Sequence, residues 1–343
     1  MSNPVTENSF PSWTDLHAHL HQSLKKRLLL KRGSRILMAV SGGQDSLCLA
    51  KLLLDLKTKW GWELAIAHCD HRWRSDSAEN ALFVRNLAQQ WQIVYFEQTA
   101  EVVVSSEAAA REWRYQILMQ IAQQHGYGTI VTGHTASDRA ETFLYNLMRG
   151  SGADGLQALT WTRSLTATLQ LVRPLLSLTR AQTAQFCQTM GLSIWEDSTN
   201  QSLQCARNRI RLELIPYLQA HFNPQVEQAL NQTAELLQAE VEYLEAQASQ
   251  LIERAEWNVE GQSCSFNRRT LQTAPIALQR RAARQFLQES LPEAPNFAQI
   301  EKLVALISAP HRSQTDPFPG GAIAQVEGDW IRLQSADVMN ARN

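Results

Sequence analysis

The stretch "AVSGGQDSLC" (residues 39–48) sets two adjacent glycines, a carboxylate and two serines directly behind the apolar run "RILMAV" (35–40). Glycines let backbone N–H groups close on an anion, and a helix starting there points its positive end at the same spot. Ser41 and Ser46 add hydroxyl donors, and Asp45 is placed to hold Mg²⁺ against phosphate oxygens. The stretch lacks both the lysine of G-x-x-x-x-G-K-[ST] and the third glycine of G-x-G-x-x-G, which excludes those two nucleotide sites. It reads as a nucleotide-phosphate loop. A Gly-rich strand–helix turn with a Ser/Asp cap is the plainer alternative.

Three further clusters carry chemistry. "HCDHRWR" groups His68, Asp70, His71 and Arg74, either for a nucleotide or as a helix-capping loop. "EAAAREWRYQIL" puts Arg111 and Arg114 at i,i+3 on one helix, where two guanidiniums can meet one phosphate or simply face solvent. "GHTASDRAETFLYNLMRGSGADGL" aligns Asp138, Glu141 and Tyr145 on one helix face behind His134, and Arg149-Gly150 ends that helix. The two carboxylates can fix a metal or an ammonium group, or merely complement the helix dipole. "RPLLSLTR" (173–180), "WEDSTN" (195–200) and "ARNRIRLELIPYL" (206–218) follow.

The elements that must position these residues alternate. An amphipathic helix over 13–30 precedes strands at 35–40, 64–69, 93–98, 129–134 and 169–175, with helical patterns between them. Such alternation predicts an α/β fold, a parallel, doubly wound sheet with ligands at the carboxyl ends of its strands. All of the clusters above begin where a strand ends. The register changes near 215–225: residues 224–260 form one long helical pattern with eight acidic residues and one basic residue, Arg254. Residues 263–288 then hold five arginines and no acid, and 321–334 alternate like a hairpin. The expected organisation is an N-terminal helical extension (1–34), a catalytic domain (35–221), a smaller, mainly helical C-terminal domain (222–335) and a tail (336–343).

Bulk properties set limits. At 343 residues, 44% hydrophobic, 19% charged and net charge −1, the chain reads as a globular protein of two domains with no whole-chain basic field. Its start carries no secretory signal pattern, and no run is apolar enough to span a bilayer, so no membrane partner is expected. Five scattered cysteines without C-x-x-C fit buried thiols in a reducing, cytoplasmic setting, and argue against zinc ribbons and iron–sulfur clusters. His17 and His21 are i,i+4, but no carboxylate or thiol completes a metal set, so surface histidines are expected there. Oligomeric state stays open, a homodimer included.

The hexapeptide at 41–46 resembles the PP-loop of the N-type ATP pyrophosphatases. In that superfamily the loop grips the β,γ-pyrophosphate while an acceptor attacks the α-phosphorus, which implies ATP cleavage to AMP and pyrophosphate. The ordered set SGG-x-DS, H-x-DH-x-x-R, E-x-x-AR-x-x-RY, GH…D…ET, RG-[ST]-G, RPLL and RN-x-x-R resembles the tRNA(Ile)-lysidine synthetases from residue 36 to about 218. The region after 263 resembles that family's first C-terminal domain more loosely, and longer members continue into a further domain.

The resemblance implies ATP and Mg²⁺ as cofactors, with L-lysine and the CAU-anticodon tRNA(Ile) as partners. It implies ATP contacts from Ser41, Gly42, Gly43, Gln44, Asp45, Ser46 and His68, with Asp45 also on Mg²⁺. Arg111, His134, Asp138 and Glu141 would surround the reacting groups beside Asp45, and Arg149, Arg207 and Arg211 would lie along the tRNA. Charge placement adds Arg280 and Arg284 as tRNA contacts, unless they pair with the acidic helix. One departure stands out: Ser137-Asp138-Arg139 replaces the family's usual Asp-Asp-Gln, which moves the carboxylate roles to Asp138 and Glu141. The rival readings are a tRNA 2-thiolase, which would need thiols, and a non-catalytic RNA-binding relative.

Overall fold

The computed structural model describes residues 13–73, 76–102, 106–196, 203–260 and 263–334. Arg74, residues 197–200 of the "WEDSTN" motif, the first twelve residues and the tail 336–343 lie outside them. The chain forms two compact units, divided after Leu237.

The first unit runs α1 (Asp15–Arg27), β1 (Arg35–Ala39), α2 (Gln44–Trp60), β2 (Glu63–Asp70), α3 (Ser77–Gln90), β3 (Val94–Thr99), α4 (Glu107–His125), β4 (Thr129–Thr132) and α5 (Ala136–Met148). It continues with α6 (Ala153–Leu156), β5 (Thr162–Ser164), β6 (Gln170–Val172), α7 (Arg180–Thr189), α8 (Ala206–Arg209), α9 (Ile215–His221) and the start of α10 (Val226–Arg254). The sheet order is β3-β2-β1-β4-β6-β5. β1, in the middle, is parallel to both β2 and β4, and its Ile36, Leu37 and Met38 are fully buried. Apolar side chains fill both faces because helices cover both. One core gathers Leu20 and Leu24 of α1 with Leu49, Leu52 and Leu53 of α2, and the other gathers Leu118 and Ala122 of α4.

Two expectations need correction here. The strand expected at 169–175 is only β6, Gln170–Val172: Arg173 turns aside to donate from Nη1 to the Thr160 carbonyl (2.7 Å), and Pro174 has no N–H to continue the ladder. The sheet also ends in an antiparallel edge, since β5 pairs with β6 that way. "TRS" is exposed and has no apolar alternation to announce a strand.

His17 is fully buried rather than on the surface. Its Nδ1 lies against Thr14 at the start of α1 and its Nε2 lies 3.0 Å from Asp55. No metal-binding cluster of His, Cys, Asp and Glu occurs among the described residues.

The first turns of α10 belong to this unit for a physical reason. Val226 and Leu230 pack on the cluster of Leu144, Ile210 and Ile215, while Glu235 binds Arg27, Arg139 and the Trp161 indole. The division by packing therefore falls inside the long helix, past the residue 222 at which the sequence register changes.

The second unit adds β7 (Asn258–Glu260), β8 (Ser263–Asn267), α11 (Arg268–Gln272), α12 (Ile276–Ser290), α13 (Phe297–Ile307), β9 (Ile323–Glu327) and β10 (Trp330–Gln334). The expected hairpin is β9–β10, but it belongs to a four-stranded antiparallel sheet, β7-β8-β10-β9. "SCSFN" offers too few alternating apolar residues to read as a strand unaided. Phe266, Phe286 and Ile331 meet in this unit's core.

Candidate functional site

The carboxyl ends of β1, β2 and β4 open onto one hollow of about 460 Å³. Ser41, Gly43, Asp45, His68, Arg111 and Arg114 line it, with His134, Asp138, Arg180, Trp195 and Arg207. Two glycines shape its floor. Gly42 sits at φ +86°, a left-handed conformation in which a Cβ would also lie 2.6 Å from Asn80 Nδ2. A Cβ on Gly133 would come within 2.9 Å of the Asp45 and Ser46 backbone, so only glycine lets the end of β4 press against the first turn of α2. The loop is braced from within: the Ser46 hydroxyl donates to the Gly43 carbonyl (2.8 Å) and accepts from the Ser41 N–H (3.2 Å). Trp195 closes one side, its backbone N–H donating to the Gly42 carbonyl at 3.0 Å and its indole N–H to Asp76 at 3.2 Å.

Asp45 sits in the first turn of α2, where the helix dipole favours an anion. Its Oδ1 accepts from the Thr183 hydroxyl, and Arg180 Nε lies 3.5 Å from Oδ2. Burial nevertheless holds its carboxyl above the usual range, with Arg180 and Thr183 pulling the other way. Gln44 is on the lining too, but its amide is spent on the Arg180 carbonyl and the Thr183 hydroxyl (2.7 Å each). Arg180 and Thr183 were not singled out from sequence, although "RPLLSLTR" contains the first of them.

His68 is buried, and its Nδ1–H donates to the Val40 carbonyl at 2.8 Å. Burial pushes the His134 imidazole down to about 3, and its Nδ1 lies 2.8 Å from Thr132 Oγ1. At neutral pH His134 is therefore an uncharged hydrogen-bonding group, poorly suited to take a proton from an amine. Arg111 and Arg114 flank Tyr115, and Arg173 joins them from behind. Burial alone would raise the tyrosine's pKa; the three guanidiniums outweigh it and lower it. Arg111 and Arg114 form a positive wall on the same hollow as residues 41–46.

The structure separates the two carboxylates of α5. Asp138 lines the hollow: its Oδ2 accepts from the Thr135 N–H (2.7 Å) in a capping box, and Oδ1 lies 3.5 Å from Arg211. Glu141 is 2% exposed and locked in a two-pronged pair with Arg211 (2.6 and 2.9 Å), away from the hollow's lining. The expectation that Glu141 faces the reacting groups and Arg211 the tRNA thus meets a buried ion pair. Arg207 does line the hollow, whereas Arg149 caps α5 beside Tyr145.

The Ser137-Asp138-Arg139 departure is absorbed by packing. Ser137 Oγ accepts from the Arg180 N–H (3.2 Å) and bonds Glu227, while Arg139 is buried against Glu235.

In the second unit Arg284 and Arg281 both bind Glu245 of α10, and Arg280 forms a two-pronged pair with Glu301 (2.7 and 3.0 Å). The pairing alternative raised for these arginines describes Arg284. Cys69 is the one thiol on the described lining of the hollow, and burial pushes it up to about 12, so it carries no thiolate at neutral pH.

Residues 14–218 match the PP-loop domain family, and residues 266–330 match the TilS substrate binding domain. A tRNA(Ile)-lysidine synthase of Nostoc sp. is 65% identical over 95% of this chain and 98% of its own length. One from Synechocystis sp. is 52% identical over 94% and 98%. The U34-tRNA thiolase of Methanococcus maripaludis shares the fold at 16% identity, with a TM-score of 0.55 over 64% of this chain and 78% of its own. A phosphate loop at the head of α2, full-length similarity at this level and both domain matches agree: the chain belongs to the tRNA(Ile)-lysidine synthase family, whose enzymes pair a PP-loop domain with a TilS substrate binding domain.

Proposed function

We propose that the enzyme joins L-lysine, through its ε-amine, to carbon 2 of the wobble cytidine in the CAU-anticodon tRNA(Ile), using ATP and releasing AMP and pyrophosphate. One observation carries this reading: a phosphate loop, a positive wall and the Asp138 carboxylate line one hollow. The loop and its arginines suit an ATP polyphosphate; Asp138 suits an amine.

Cytosine O2 is a poor leaving group. Its attack on the α-phosphorus breaks the α–β bond and turns O2 into part of an AMP ester, so one hard displacement becomes two easier ones. The Ser41–Ser46 loop holds the departing pyrophosphate, and Arg111 and Arg114 stabilise charge building on the phosphoryl oxygens. The lysine nitrogen then attacks carbon 2, AMP departs with the former O2, and the nitrogen's proton passes to Asp138. Asp138 is favoured for this role over Glu141 and His134 because it lines the hollow while Glu141 is tied to Arg211.

Asp45 is a partly buried carboxylate that accepts from the Thr183 hydroxyl and the Gln44 amide (3.3 Å), with a guanidinium at 3.5 Å, and no cluster of protein ligands surrounds it among the described residues. That suits Mg²⁺, which binds through one or two carboxylates plus substrate phosphates; when bound, it would supply positive charge to the pyrophosphate.

The target base must leave its stack to enter the hollow. Arg207 and Arg149 are the better placed of the expected tRNA contacts, since Arg211 is committed to Glu141. No described helix is long and apolar enough to cross a membrane, and a cytoplasmic setting is part of this proposal.

Incorporation of labelled lysine into CAU-bearing tRNA(Ile), with pyrophosphate release that needs both tRNA and lysine, tests the reading. Pyrophosphate release that requires a sulfur donor instead would return the thiolase alternative.

The arginines of α12 give a second test. Arg284→Ala removes one of two guanidiniums from Glu245 and should lower the thermal midpoint. Arg280→Ala, losing an exposed pair, should leave the thermal midpoint nearly unchanged. If Arg280 also contacts phosphate, its loss flattens the salt dependence of tRNA affinity by about one log–log unit or slightly less. An unchanged slope assigns it to the fold alone.

A further inference from the structure

α5 and α8 carry a second hollow, of about 540 Å³, beside the first. Tyr145, Arg149, Arg209, Ile210, Glu213 and Tyr217 are among its lining residues. Its surface is mostly apolar and aromatic. Tyr217 is 54% exposed, and the Arg149 guanidinium lies 5.3 Å from the Tyr145 ring centre. A π-helical turn, Ile210–Leu214, joins α8 to α9, and its Ile210, Glu213 and Leu214 line the hollow. Such turns are frequent at functional sites.

The two hollows draw residues from the same elements, α5 and α8. Asp138 lines the first and Tyr145 the second, seven residues on along α5, a step of about 10 Å at the α-helical rise. Arg207 lines the first, and Ala206 and Arg209 line the second. An RNA strand running along α5 past Asp138 can set a neighbouring base on Tyr145.

We infer that the second hollow receives the adenine that follows the target cytidine in CAU. The inference rests on the lysidine synthase reading and adds a base-specific subsite to it. Tyrosine rings and an arginine plane are stacking surfaces for an unstacked base. Glu213 is the one carboxylate on the described lining, and an ionised carboxylate only accepts hydrogen bonds. It suits the exocyclic amine of adenine, as acidic side chains suit amino groups on base edges. Uracil, the third anticodon base, has no such amine and would set a carbonyl oxygen against the carboxylate. Arg149, at the exposed end of α5, is placed for the adjoining phosphate.

The test uses the full chain and CAU-bearing tRNA(Ile) whose adenine is left intact or replaced by purine or hypoxanthine, with RNA affinity and lysine incorporation both measured. Wild type should bind the purine and hypoxanthine forms more weakly by about tenfold or more. Glu213→Gln, whose amide can donate to the hypoxanthine oxygen, should narrow or reverse the adenine–hypoxanthine preference. Tyr217→Ala should weaken binding of all three forms while leaving the KM for ATP unchanged.

Equal wild-type affinity for the three RNAs would overturn the subsite, as would a Glu213→Gln effect uniform across them. Base preference in binding without lysine incorporation would keep the subsite and reject the lysidine reading. Incorporation without base preference would do the reverse.

Discussion

Asp45→Ala should lower tRNA-dependent pyrophosphate release by about 10²- to 10³-fold, the usual cost of losing one preorganised electrostatic partner at developing charge, while leaving tRNA affinity near that of wild type. The carboxylate sits where the helix dipole, the Thr183 hydroxyl and Arg180 converge, and burial still raises its pKa. A carboxylate that these partners leave short of full compensation for its desolvation gains from a bound cation. Asp45→Asn keeps the hydrogen bond from Thr183 and removes only the charge, so it should match the alanine variant in rate and exceed it in thermal stability. Pyrophosphate release at the wild-type rate in either variant would remove Asp45 from the chemistry.

Asp138→Asn and Glu141→Gln should differ in kind. An asparagine at 138 can still accept from the Thr135 N–H and keep the capping box, so the helix should survive. Without the carboxylate as base, lysine transfer should fall by about 10²-fold or more, and adenylated tRNA, traced with α-labelled ATP, should accumulate. Glu141→Gln takes the two-pronged partner from a partly buried Arg211 and leaves it only Asp138, 3.5 Å away, so the cost should approach but not reach the roughly 3–5 kcal/mol of a buried charge left wholly unpaired. Its thermal midpoint should drop, and both half-reactions should fall together. A Glu141→Gln enzyme of wild-type stability that accumulates the adenylate would restore Glu141 as a reacting-site residue.

Sequence spacing alone was enough to place Ser41–Ser46 at the head of a helix and His68 and His134 at strand ends. Each of those placements depends only on local rules: where an apolar run stops, where glycine permits a turn, and where a helix pattern starts. The alternation of strand and helix likewise specified the parallel sheet, because crossover handedness leaves few arrangements. The helix period also put Asp138 and Glu141 near one another on α5.

Which of the two carboxylates meets the hollow was decided by a residue some seventy positions away. Arg211 reaches α5 only through the tertiary packing of Ile210 and Ile215 against Ala140 and Leu144, and it claims Glu141. The same holds for Thr183 and Arg180 on Asp45 and for Glu245 between Arg281 and Arg284. An ion pair or a hydrogen bond between distant segments leaves no periodic trace in either one. Composition can say that opposite charges are available, but only the fold determines which of them share a low-dielectric pocket, where pairing outweighs solvation.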